Sequence, residues 1–163
     1  MLLEKLANNS LFNHVSADYL QSMVSNRTEV NLDAGEFLFH QGDMGRGMYI
    51  LVDGKVDIVL ESAETLEVIK ILATLEPGAY LGEVCMLSPQ ERTAGVRAQT
   101  KVKLMYMDSR DFLRDIDDKD PNALRISHNL ALTLTERLKR ANEIVTSLSI
   151  TPEEKDDISG ALF

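Results

Sequence analysis

The stretch from Thr28 to Met107 constrains the fold most, because its apolar residues come in short runs separated by turn residues. Val56, Ile58 and Leu60 alternate with Asp57, Val59 and Glu61; Val102, Leu104 and Tyr106 alternate with Lys101 and Lys103. A period of two is the pattern of strands. Strands also fit residues 36–39, 48–52, 66–72 and 94–99, with Gly35, Gly42, Gly54 and Gly78 falling at the turns. Many short strands at this spacing predict a β-sandwich or a small barrel.

At 163 residues the chain suits one domain, large enough to bury about two-thirds of its unfolded surface. Its formal charge of −9 argues against a nucleic-acid partner, which would call for a basic face. No run of 18 apolar residues exists to span a membrane. Residues 1–8 lack the apolar core of a signal peptide. A single cysteine, Cys85, excludes an internal disulfide and a cysteine-based metal cluster. Together these features favour a cytoplasmic location.

Within the strand region lies a stretch of different character, Gly82-Glu83-Val84-Cys85-Met86-Leu87-Ser88-Pro89-Gln90-Glu91-Arg92-Thr93-Ala94. Gly82 has no Cβ, so backbone there can approach a ligand closely. Residues 83–87 suit one short helical turn, whose unpaired N–H groups and dipole favour an anion. Arg92 offers a planar fork for two phosphate oxygens, and Glu83 a carboxylate that can accept from sugar hydroxyls. A sugar acceptor and a phosphate fork nine positions apart suggest a small nucleotide.

These residues resemble the phosphate-binding cassette of the cyclic nucleotide-binding domain family, the module of the catabolite activator protein, protein kinase A regulatory subunits and cyclic-nucleotide-gated channels. The family pattern is roughly aromatic-Gly-Glu-aliphatic-small-aliphatic, a short variable loop, then Arg-Ser/Thr/Ala-Ala. Here it reads Leu81-Gly82-Glu83-Val84-Cys85-Met86 and then Arg92-Thr93-Ala94. Leu81 replaces the usual aromatic and Cys85 stands where Ala is common, both apolar exchanges of tolerable size. The order Gly35, Phe39-His40-Gln41-Gly42-Asp43 and Met48 to Val56 is similar to the family's β-roll, and the likeness covers residues from about 10 to 148. It implies a mainly β fold, a double-stranded β-helix or jelly-roll-like β-roll, with N-terminal helices and a long C-terminal helix. It implies a ligand-binding set of Gly82, Glu83, Val84, Cys85, Arg92, Thr93 and Ala94. In that set Glu83 accepts from the ribose 2′-hydroxyl and Arg92 holds the phosphate, with the N–H groups of Cys85 and Ala94 completing the cradle. Thr93 can donate to the phosphate or accept from a purine amino group, which leaves cAMP and cGMP both open.

Helical patterns flank the strands. Ser16 reads as an N-cap, with Val15 and Leu20 as its hydrophobic staple. Asp108 or Ser109 caps a helix reaching about Ile116, and Asp120-Pro121 opens a longer one to Leu148. Along that helix Leu124, Ala131, Leu138 and Val145 share one heptad position, and Ser127, Leu134, Ala141 and Leu148 the other. This seam predicts a homodimer through residues 121–148. Ile126 and Leu130 add a second stripe, so the first half is expected to pack on the β-roll. Arg137, Arg140 and Asn142 are candidates for contact with the base. The expected division is a helical cap at 1–26, a β-roll at 27–108 and C-terminal helices at 109–148. The tail, residues 151–163, opens on a capping box and is too short for a helix-turn-helix, so no DNA-binding domain is expected.

His14, His40 and His128 have no ligand spacing, and no nucleophile elbow is present. The expectation is therefore a non-enzymatic sensor without a metal or cofactor, binding cAMP or cGMP to control a protein effector not identifiable from the sequence. A nucleotide-insensitive dimeric scaffold of the same fold is the alternative. An intact Glu83 and Arg92 pair speaks against it.

Overall fold

The computed structural model describes residues 2–25 and 28–148. Helix α1 (Leu2–Ala7) and a 3-10 turn at Ser10–Phe12 bury Leu6, Leu11 and Phe12. Helix α2 (Ala17–Ser25) begins at the predicted cap, where the Tyr19 N–H donates to the Ser16 hydroxyl at 3.2 Å. That bond satisfies one of the first turn's orphan donors.

The strands follow as β1 (Thr28–Leu32), β2 (Phe37–Phe39), β3 (Met44–Gly45), β4 (Gly47–Asp53), β5 (Val56–Glu61), β6 (Val68–Leu75) and β7 (Tyr80–Leu81). A short helix, α3 (Val84–Leu87), precedes β8 (Gln90–Glu91), β9 (Gly95–Ala98) and β10 (Val102–Asp108). All pairings are antiparallel, in sheets ordered β1-β10-β4-β7 and β2-β9-β5-β6, with β3 and β8 forming a ribbon. This is the jelly-roll-like β-roll. The strand expected at 66–72 begins instead at Val68, because Leu66 sits at φ 57° in a loop closed by its N–H donating to Ser62 O.

Apolar residues of β4 face two cores. Met48 and Ile50 turn outward with Met105 to meet Leu6, Leu11, Phe12, Leu20 and the C-terminal helices. Leu51 turns into the roll against Val56, Leu81, Val96, Val102 and Leu104. A strand buried on both faces reads as a continuous apolar run, as 48–52 does.

Helix α4 (Ser109–Asp117) is capped by Asp108, whose carboxylate accepts from the Arg110 N–H at 2.8 Å. Helix α5 (Pro121–Leu148) is capped by Asp120, which accepts from the N–H groups of Asn122 and Ala123. Ala123, Ile126 and Leu130 are buried, and Leu134 packs against the same core. The first half of α5 docks mainly on the N-terminal segment rather than on the β-roll: the buried Asn129 amide donates to Leu11 O and Asn13 O, each at 2.9 Å. Leu124, Ala131, Leu138 and Val145 lie exposed along the helix. The expectation for the 151–163 tail lies outside the described residues.

Candidate functional site

Arg92, entering from β8, lies beneath the cassette with only 6% of its surface exposed. Its Nη1 donates to Gly47 O at 3.0 Å and to Gly82 O at 3.3 Å. Its Cζ stands 4.3 Å from the centroid of the Phe39 ring and 5.7 Å from that of Tyr49. Both are cation–π distances. Among the described residues no carboxylate pairs with it. Burial raises the Tyr49 phenol's pKa, and the nearby guanidinium opposes that shift.

Two glycines make room for the guanidinium. Gly82 adopts φ +74°, and a Cβ there would meet Arg92 Nη1 at 2.2 Å. At Gly45 a Cβ would come within 2.6 Å of Arg92 Cζ, Arg92 Nε and Cys85 Sγ.

Glu83, at 4% exposure, occupies the N-cap position of α3 without a side-chain capping bond. Its Oε1 accepts from Arg137 Nη1 of α5, an ion pair with one buried and one half-exposed partner. Cys85 is buried, and its thiol lies 3.6 Å from Gln90 O. The Cys85 N–H, expected to face a phosphate, donates to Gly82 O at 3.1 Å, because the turn closes on itself.

These groups share a cavity of about 310 Å³, within the range of small-ligand pockets. Gly82 to Cys85 and Arg92 to Ala94 form its polar side; Phe39, Ile58, Leu75 and Val96 form its apolar side. Arg137 also lines it, whereas Arg140 and Asn142, the other candidates for contact with the base, do not. Arg140 is exposed and Asn142 is buried further along α5. A larger cleft of about 670 Å³ lies between α2, β10 and α4. There Arg110 and Arg114 pair with Asp108 and Asp111, and the Tyr19 hydroxyl donates to Asp115. Burial and then Asp115 hold the Tyr19 phenol well above its usual pKa. The smaller cavity is therefore the one with a buried cation turned toward it.

Sequence reasoning missed Phe39, Tyr49 and Gly45 as the surroundings of Arg92, and gave Arg137 a different contact. Aromatics on strands read as core, and no local spacing links residue 39 or 45 to 92. No sequence signal pointed to them, since Arg92 follows the acidic Glu91 directly and its burial shows only in the fold.

The β-roll thus sets a buried arginine and a buried glutamate, both from one cassette, on a single cavity. The family model described as the cyclic nucleotide-binding domain matches residues 29–118, and the chain belongs to that family. Among its relatives is the potassium/sodium hyperpolarization-activated cyclic nucleotide-gated channel 1 of Homo sapiens, 26% identical over 135 residues, which are 83% of this chain and 14% of the channel. The chain thus spans a small part of the channels it matches. Among solved structures, the Thermus thermophilus catabolite activator protein superposes with a TM-score of 0.75 at 28% identity, over 86% of this chain and 63% of that one. The N-terminal domain of a transcriptional regulator from Streptomyces coelicolor gives 0.71 at 28% identity, over 86% and 93%. Among the described residues no helix is long and apolar enough to cross a membrane.

Proposed function

We propose that this chain is a cyclic nucleotide sensor. cAMP or cGMP enters the 310 Å³ cavity with its phosphate on Arg92 and its ribose 2′-hydroxyl on Glu83, while the purine rests on the apolar side. The observation that carries this reading is the buried Arg92 guanidinium, whose protein partners are backbone carbonyls and aromatic faces. A buried cation without an anionic partner is costly. A phosphate in the cavity removes that cost.

Signalling follows from Arg137. It joins the ribose acceptor Glu83 to α5, so a sugar hydroxyl arriving at Glu83 competes for the carboxylate that tethers the helix. The ligand moves α5 only to the extent that it binds one helix position better than the other. The exposed apolar stripe Leu124, Ala131, Leu138 and Val145 supports pairing with a second copy, through which that shift is passed to an effector.

Thermal unfolding with and without each nucleotide tests the reading. Ligand at about 100 times its dissociation constant adds about 2.7 kcal/mol. A midpoint unmoved by millimolar cAMP and cGMP would favour the scaffold.

A further inference from the structure

We infer that Phe39 is a positioning residue for the phosphate: its ring fixes the plane of the Arg92 guanidinium, so that the edge carrying Nε and Nη2 is the one offered to the ligand. The inference deepens the sensor reading and rests on it. An arginine presents five N–H donors in a rigid fork, and two adjacent nitrogens can take a phosphate side-on. Nη1 is already committed to backbone, donating to Gly47 O at 3.0 Å and Gly82 O at 3.3 Å. Those bonds set how far the fork is turned within its own plane, but a planar group anchored at one nitrogen can still rock.

The Phe39 ring restrains that rocking, with Cζ held 4.3 Å from its centroid. Tyr49 stands farther from Cζ, at 5.7 Å, and backs the Phe39 ring with centroids 5.9 Å apart. Gly45 backbone packs so tightly that a Cβ would lie 2.6 Å from both Cζ and Nε. The fork is thus confined by a ring, a backbone segment and two carbonyls. With Nη1 committed to two carbonyls, Nε and Nη2 are the nitrogens assigned to the anion, beside the Tyr49 hydroxyl, which also bonds the guanidinium. Phe39 also lines the cavity, so the test has to separate a positioning ring from a mere wall.

Calorimetric titration of cAMP into wild type, Phe39→Leu and Phe39→Tyr is combined with phosphorus NMR of the bound nucleotide at saturation. Phe39→Leu is expected to weaken binding about 10-fold and to shift the bound phosphorus resonance. Phe39→Tyr, which keeps the aromatic face, is expected to stay within about 3-fold and leave the resonance in place. Should Phe39→Leu fail to fold, Phe39→Met replaces it. Wild-type affinity in the aliphatic variant overturns the inference alone. Equal losses in both variants with an unmoved resonance also overturn it, marking a wall. A wild type that binds neither cAMP nor cGMP overturns the sensor reading and this inference together.

Discussion

Gly82→Ala isolates the tight approach between the cassette and Arg92. The left-handed backbone at φ +74° penalises any Cβ, by about 1–2 kcal/mol. The new carbon would also sit 2.2 Å from Arg92 Nη1, so the guanidinium must leave its two carbonyls. Charge-assisted bonds of that kind are worth about 1.5–3 kcal/mol. The sum is a loss of about 2.5–5 kcal/mol, or roughly 5–20 °C in the unfolding midpoint for a chain of this size. Gly35→Ala is the matched control, since it has φ +92° with nothing within 4 Å of a Cβ. It should lose only the backbone part. Urea unfolding measures both, and cAMP titration should show at least about a 10-fold affinity loss for Gly82→Ala and none for Gly35→Ala. Equal stability losses in the two variants, with equal cAMP affinity, would refute the claim that Gly82 is needed to seat Arg92.

Other perturbations read other parts of the structure. His40→Ala takes away the ring that pairs at 2.6 Å with the buried Glu61 carboxylate; it should cost about 1–3 kcal/mol in urea unfolding, and a wild-type midpoint would contradict that. Asn129→Leu leaves Leu11 O and Asn13 O without their donor, which should cost about 2–4 kcal/mol and lower hydrogen-exchange protection first in residues 6–12. The Arg110 side chain, hydrogen-bonded to Asp108, holds that carboxyl below its ordinary 3.8. A depressed folded-state value means the stabilisation is present above about pH 4 and disappears as pH falls through it; it should be under about 1 kcal/mol for this exposed pair, and Asp108→Asn should flatten the acid limb of the stability profile. Leu138→Glu puts a charge on the exposed stripe of α5; if α5 pairs two copies, sedimentation should show a dimer for wild type and a monomer for the variant, and identical profiles would remove the dimer from the account.

The β-roll was legible because its determinants are local. Period-two runs in β5 and β10 and the cap residues Ser16, Asp108 and Asp120 each act within a few positions, and the structure places strands and helix starts there. Polarity proved a poor guide to exposure in β5. Asp57 and Glu61 are buried, because Thr74 and Gln99 donate to Asp57 while His40 and the Gln41 N–H engage Glu61. Those partners lie 17 to 42 positions away, beyond any periodicity. The cassette showed the same division. Gly82, Glu83 and Arg92 were readable as a spaced set. The Phe39 ring over Arg92 and the Arg137 bond to Glu83 span the roll and α5, and only the folded arrangement brings them together.

The central claim is that Arg92 receives a cyclic phosphate in this cavity. Calorimetric titration of cAMP and cGMP into wild type and Arg92→Ala tests it most directly. Removing a buried charged partner costs about 2–5 kcal/mol, so the variant should bind roughly 30- to several-thousand-fold more weakly. Binding of equal strength in both proteins would contradict the account.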